Sequence, residues 1–274
     1  MSQRREIEHH RHKLVEIREI MDSMKTLAYM ETHKLFRFLD AQKRLIDSID
    51  DMADDFLCFH PDILPSVEPT LVVHLLIGSQ RGFCGDFNEI LVKQLKSELH
   101  ETAQHDCKLI AVGQKLHPLL ENMRCDTVNI EGANVSEEIS SVVTSIANSL
   151  SSNQRKMMAL QVLHHTEDGN INSESILPPF TETRIHSTKF NHSPQMNMSP
   201  RSFLLELTEQ HLFINLHRLL FTSLMAENQS RIHHLDNAIN HLDNKTSELT
   251  RKSNAMRQEE IIEEIEVILL NASS

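Results

Sequence analysis

The residues that break helices are confined to the middle of this chain. All fourteen glycines and prolines lie between Pro61 and Pro200, leaving 60 residues before Pro61 and 74 after Pro200 without one. Glycine costs a helix interior about 1 kcal/mol and proline about 3. Both ends of the chain are therefore predicted to form long helices.

A seven-residue period says what those helices do. Counting sevens from Ile7 gives Ile7, Leu14, Met21, Ala28, Leu35, Gln42, Ile49 and Phe56; three residues on from each lie His10, Ile17, Met24, Glu31, Phe38, Leu45 and Met52. Only His10, Glu31 and Gln42 interrupt the apolar stripe. A 3.5-residue period keeps one narrow face turned toward a partner, so the stripe predicts a helix wound on another helix. The C-terminal end repeats the pattern in Met225, Ile232, Ile239 and in Leu235, Leu242, Leu249, Met256, after which the apolar set shifts phase to Ile261, Ile265 and Ile268. One helix runs inward from the N-terminus and the other outward to the C-terminus. If both leave the same face of a central domain they pair antiparallel, each about 80 to 110 Å long at ~1.5 Å per residue.

The expected organisation is thus an N-terminal coiled-coil helix over 1–60, a central domain over 61–200 and a C-terminal coiled-coil helix over 201–274. The central section is long enough for one hydrophobic core. No run of eighteen apolar residues exists, and charge begins at Arg4 without an apolar segment behind it, so no membrane insertion and no secretion signal are expected. Cys58, Cys84, Cys107 and Cys125 lie far apart with no Cys-x-x-Cys pair, which predicts reduced thiols and no zinc site. A net charge of −12 argues against nucleic acid as a partner. The histidines lack metal-ligand spacing: His233, His234 and His241 share a helix without an i, i+4 pair, and His164 and His165 precede a loop. No metal and no cofactor are expected.

In the central section, Leu71–Ile77 is a short apolar run bounded by turn residues, as in a buried strand. It leads through Gly78-Ser79-Gln80-Arg81-Gly82-Phe83-Cys84-Gly85-Asp86-Phe87-Asn88 into a helix over about 89–105. Strands near 108–112, 127–130 and 157–163 alternate with helices near 115–122 and 136–150, which predicts a mostly parallel sheet with helices on its faces. Residues 164–202 read as loop, with one more strand suggested at 183–190. The glycine spacing after the first strand is neither a dinucleotide fingerprint nor a P-loop, so the turn is predicted to be structural, with Gly82 and Gly85 supplying strained backbone. No catalytic constellation of side chains is present, neither a Gly-x-Ser-x-Gly elbow nor His-Glu-x-x-His.

These features together resemble the gamma subunit of the rotary F-type ATP synthase. Arg81-Gly82-Phe83-Cys84-Gly85 with Asn88 resembles the family's Arg-Gly-Leu-Cys-Gly turn; Met24-Lys25 and Ala28, with Ile20 ahead of them, resemble its first helix; Glu227, Arg231, Leu235 and Ala238, then Asn254, Arg257-Gln258 and Ile261, resemble its last. The resemblance implies an α/β fold in which a long antiparallel coiled coil accompanies an open, Rossmann-like domain. It further implies a non-catalytic rotor that sits within a hexamer of alpha and beta subunits and rides, with epsilon, on the membrane c-ring. The complex would lie peripherally at the cytoplasmic face of a bacterial plasma membrane. Contacts to the hexamer would fall on Ile20, Met24, Ala28, Arg231, Asn254, Arg257, Gln258 and Ile261, while Arg81, Gly82, Cys84, Gly85 and Asn88 would shape the turn. The chain departs from the family at Gln80, at His241-Leu242 and at Glu259-Glu260, as in a divergent or paralogous member. Two other readings of the same residues are a coiled-coil scaffold with an α/β head, unrelated to ATP synthesis, and a metabolite-binding enzyme whose helices dimerise.

Overall fold

The computed structural model describes residues 2–64, 69, 71–101, 108–121, 123, 125–151, 158–180 and 195–272. Two helices dominate it, α1 (Ser2–Phe59) and α5 (Pro200–Ala272), as the absence of breakers predicts. The chain divides into two compact units, one of Met1–Tyr29 with Arg231–Ser274 and the other of Met30–Ser230. Helix α1 ends at Phe59 and α5 begins at Pro200, and the sheet-bearing unit is larger than the section between them, because it takes in the inner parts of both helices.

In the helical unit, α1 and α5 run antiparallel. Arg18 Nε meets Asp243 Oδ1 at 2.7 Å, Lys25 Nζ meets Asp236 Oδ1 at 3.1 Å, and Ser253 Oγ donates to Glu8 Oε1 at 3.4 Å. From residue 8 to 25 on α1, the partners step back from 253 to 236 on α5, residue for residue, so neither helix slips on the other. The α5 side of the seam follows the predicted sevens: Leu235 is fully buried, Ile239 buried, and Leu242, Leu249 and Met256 half-buried. On α1 the counted sevens also face inward, but their companions stand four residues on, not three. Arg18 and Lys25 are half-buried while Ile17 is exposed. Their aliphatic stems cover the seam and their charges reach the acids of α5. The apolar stripe of α1 is wider than its seam, and the surplus lies outside.

The sheet-bearing unit holds a five-stranded sheet in the order β3-β2-β1-β4-β5. Strands β1 (Leu71–Ile77), β2 (Lys108–Val112), β3 (Asp126–Ile130) and β4 (Met158–His165) pair in parallel, and β5 (Ile171–Leu177) returns antiparallel at the edge. Helix α2 (Phe87–Glu101) follows β1 and α4 (Ile139–Ser151) follows β3. The helix expected near 115–122 is the single turn α3 (His117–Leu120). Strand β5 falls inside the segment predicted as loop; the strand suggested at 183–190 lies outside the described residues. Successive side chains of a strand point to opposite faces, and both faces here are apolar. One packs Val73, Leu75, Ile110 and Val162 against Leu35 of α1, Ile146 of α4 and Leu219 of α5; the other packs Leu76, Leu109 and Leu163 against Leu91 and Leu95 of α2. Within this unit α1 and α5 keep an antiparallel register, with Phe38 stacked on Phe221 and Phe56 tilted against Phe203.

Three glycines crowd the carboxyl ends of β1, β2 and β3. A Cβ on Gly78 would stand 2.6 Å from Asn88 Oδ1, and one on Gly113 2.7 Å from the Gly78 carbonyl oxygen, with Gly113 at φ 109. On Gly132 it would meet Gln80 Oε1 at 3.2 Å. Farther along, β4 and β5 carry a buried polar group. The His164 ring lies between Glu174 Oε1 (3.2 Å) and the His165 carbonyl (3.0 Å), and Arg218 of α5 pairs with Glu174. Burial pushes the Glu174 carboxyl up, but His164 and the Arg218 guanidinium outweigh it and hold it at about 2. His165 donates from Nε2 to the Phe87 carbonyl at 2.8 Å and stacks on the Phe87 ring, tying the end of β4 to the start of α2. Burial pushes the imidazoles of His165 and His74 down.

Three outcomes are expected. Gly113→Ala should destabilise the chain by about 1–3 kcal/mol through forced backbone and contact strain, as read by denaturant unfolding. Leu235→Ala should cost about 2–5 kcal/mol in the same measurement, because it opens the seam at its most buried point. The third outcome concerns acid. Histidines held neutral in the fold stabilise it fully above the unfolded pKa of about 6.5, and the unfolded chain gains protons first as the pH falls. Thermal stability should therefore drop from about pH 7 toward pH 5, and His165→Gln should flatten that slope. Glu174, lowered from 4.5 to about 2, adds a further loss only as the pH falls between those values.

Candidate functional site

In doubly wound sheets ligands bind where the strand order reverses, outside the carboxyl ends of the strands. Here that point lies beside β1, at the turn 78–88, and the chain fills it with its own groups. Asn88 lies at the start of α2 and accepts the Ser79 N–H at 2.9 Å while donating to the Ser79 hydroxyl at 2.9 Å, which closes the turn on itself. Gln80 sends its Oε1 across the sheet crest to the N–H groups of Gln114 (3.0 Å) and Gly132 (2.7 Å). The N–H groups of Gln80 and Arg81 both donate to the Glu227 carboxylate of α5, each at 3.2 Å. Two adjacent N–H groups aimed at one carboxylate make an anion site, and its anion belongs to the protein. The N–H groups of Ser79, Gln80 and Arg81 are thus already engaged within the chain.

One face of α5 is given over to this turn. Ser223 donates to the Ile77 carbonyl at 3.3 Å, Ala226 packs on Cys84 and Phe87, Glu227 takes the two N–H groups, and Ser230 donates to the Cys84 carbonyl at 2.8 Å. Residues spaced i, i+3, i+4 and i+7 share a helix face, so the sequence could carry this signal. Only Glu227 belonged to a recognised pattern. Among the predicted turn residues, Cys84 and Asn88 are buried, and Arg81 reaches out to Asn134 at 2.8 Å. Gly85 takes the left-handed conformation at φ 62, as expected. Gly82 corrects the expectation: the left-handed residue beside it is Phe83, at φ 64, and a Cβ on Gly82 would meet only the end of Lys115, at 3.9 Å.

The eight residues expected to contact a surrounding hexamer all belong to the helical unit. Ile20, Asn254, Arg257, Gln258 and Ile261 are exposed and Met24 is half-buried. Ala28 and Arg231 are buried, so their side chains are not offered to a partner from this surface. Arg4 pairs with Glu260 at 3.4 Å, and α5 continues to Ala272 beyond the point where α1 begins. There the shifted apolar set, with Ile261, Ile265 and Ile268, is exposed together with Ile262, Val267, Leu269 and Leu270. Ile17, Ile20, Leu27 and Tyr29 add an exposed apolar face on α1. Apolar side chains in such numbers outside a structure mark surfaces that another chain covers.

Comparison with known proteins agrees with this geometry. The family model described as ATP synthase matches residues 3–274. The ATP synthase gamma chain of Chlorobaculum parvum is 24% identical over 254 residues, which are 85% of this chain and 82% of that one. Among solved structures, a chain of the rotor of the Euglena gracilis mitochondrial ATP synthase in rotational state 1 superposes with a TM-score of 0.65 at 12% identity, covering 95% of this chain and 99% of that chain. A chain of the same organism's OSCP/F1/c-ring assembly in rotational state 3 gives 0.66 at 12% identity, over 99% and 94%. Matched along nearly its whole length by that family model and folded with the same paired helices and central sheet, this chain belongs to the ATP synthase gamma family.

Proposed function

We propose that this chain is the central-stalk rotor of an F-type ATP synthase, turning within a hexamer of alpha and beta subunits and joined, with epsilon, to the membrane c-ring. The observation that carries the reading is the apolar surface left outside a well-registered helical pair: the α1 face at Ile17, Ile20 and Leu27 and the exposed apolar side chains of α5 from Ile261 onward. A helical pair that needed no sleeve would turn those side chains inward. The chain itself does no chemistry in this account, since the position beside β1 where the strand order reverses is filled by Gln80, Asn88 and Glu227. Among the described residues no helix is long and apolar enough to cross a membrane, which suits a subunit that meets the membrane through a partner.

Coupling then works by differential contact. A rotor that presents different side chains at each angle favours one conformation of each beta subunit over the others, and ATP binding or release follows the angle. Arg257 and Gln258 are suited to such contacts, being exposed polar residues just before the seam ends. Glu260, which could have held Arg257 within the helix, lies against Arg4 instead.

Co-expression of a tagged chain with the alpha and beta subunits of its own organism should yield a complex that hydrolyses ATP; recovery of the chain alone would refute the reading. Within the complex, Arg257→Ala should lower ATP turnover by about two- to tenfold while the yield of complex stays the same, the size of effect that coupling contacts produce. Wild-type turnover in the mutant complex would remove Arg257 from the contact set.

A further inference from the structure

Within the sheet-bearing unit two acids tie α1 and α5 to backbone N–H groups, beside the Ser223 and Ser230 hydroxyls that donate to the Ile77 and Cys84 carbonyls. Glu227 accepts the N–H groups of Gln80 and Arg81, one on each oxygen, at 3.2 Å. Glu31 accepts the N–H of Ser136 on Oε1 at 2.6 Å, and one turn along α1 Lys34 pairs with Glu137. Ser136 opens the turn of 3-10 helix that leads into α4, so the carboxylate of Glu31 also faces the positive end of a helix. In the heptad count Glu31 is one of three residues that spoil the apolar stripe, which leaves its presence unexplained until its partner is seen.

Position gives these contacts their importance. The unit spans Met30–Ser230, so Glu31 is the second residue of α1 inside it and Glu227 lies within the last turn of α5 inside it. Each helix is thus tied to a loop at the sheet crest immediately beside the border it crosses. The neighbouring apolar contacts, Leu35 on α1 and Leu224 and Met225 on α5, bury these stretches of helix in the core, but their attraction is non-directional. A hydrogen bond to a fixed backbone group has a required direction.

We propose that Glu31 and Glu227 are positioning residues that fix the rotational phase of α1 and α5 where the helices leave the sheet-bearing unit, so that torque passes along the helices without slip. The proposal rests on the rotor reading above. It concerns how stiffly the rotor transmits, whereas that reading concerns whether the chain is a rotor.

The two acids make different demands on a substitution. Glu227 uses both oxygens as acceptors, so Glu227→Gln replaces one of them with a donor facing another donor. Glu31 uses one oxygen on Ser136, and Glu31→Gln keeps an acceptor there. The test uses the assembled complex in vesicles, reading the membrane potential generated per ATP hydrolysed. Glu227→Gln and Glu31→Ala should each lower that ratio by about two- to tenfold, and Glu31→Gln should leave it unchanged. Gly113→Ala serves as the control for mere destabilisation: it should reduce the amount of complex but not the ratio in what assembles. Wild-type ratios in both Glu227→Gln and Glu31→Ala complexes overturn the proposal, and so does a loss in Gly113→Ala equal to theirs. If Glu227→Gln does not assemble, Glu31→Ala, which removes a single hydrogen bond, decides alone. A wild-type chain that forms no complex would instead strike at the rotor reading itself.

Discussion

The structure depends on a seam between two helices that lie at opposite ends of the chain. Arg18 and Asp243, joined at 2.7 Å, are 225 residues apart. Closing so long a loop costs only slightly more than closing a short one, because the entropy grows with the logarithm of its length. The seam offsets that cost through buried leucine and isoleucine side chains, each contributing about 1.5–3 kcal/mol. The surface ion pairs along it add little energy of their own. Their constant step shows instead that the register is single, as a pair of helices working as one mechanical element requires.

What the seam does not bury matters as much. The apolar stripe on α1 is broader than one partner helix can cover, and α5 runs past the end of α1 carrying seven exposed large apolar side chains, from Ile261 to Leu270. Arg18 and Lys25, set into the seam, displace apolar residues such as Ile17 and Ile20 toward the outside. That arrangement weakens the pair as an isolated object and prepares it for a surrounding sleeve. The sheet crest shows the opposite economy. Its glycines, Gln80, Asn88 and Glu227 satisfy one another so completely that the position where related sheets hold ligands is here a joint between a turn and α5.

Much of this was legible in the sequence, and the parts that were not have identifiable causes. Strands β1 and β2 were plain because both faces of a buried parallel strand are apolar. Strand β5 was hidden because Asn172, Ser173, Glu174 and Ser175 give an edge strand a polar look. Its signal was the Asp168-Gly169 pair in the hairpin, where Gly169 sits at φ 77. The sevens along α1 fixed the stripe but not which side of it faced the partner, since Arg18 and Lys25 enter the seam by their stems, and a count of apolar residues overlooks them. Glu31 appeared as an interruption when its partner was a backbone N–H more than a hundred residues away. At the turn after β1 the positive φ falls on Phe83 and Gly85, not on Gly82, because glycine spacing alone does not say which residue takes the left-handed conformation.

The central claim is that this chain turns. With an alpha/beta hexamer fixed to a surface and a visible probe attached through Ile90→Cys on the exposed side of α2, addition of ATP should drive the probe continuously in one direction, and its speed should follow the rate of hydrolysis. A complex that hydrolyses ATP at its full rate while the probe stays still would contradict the account.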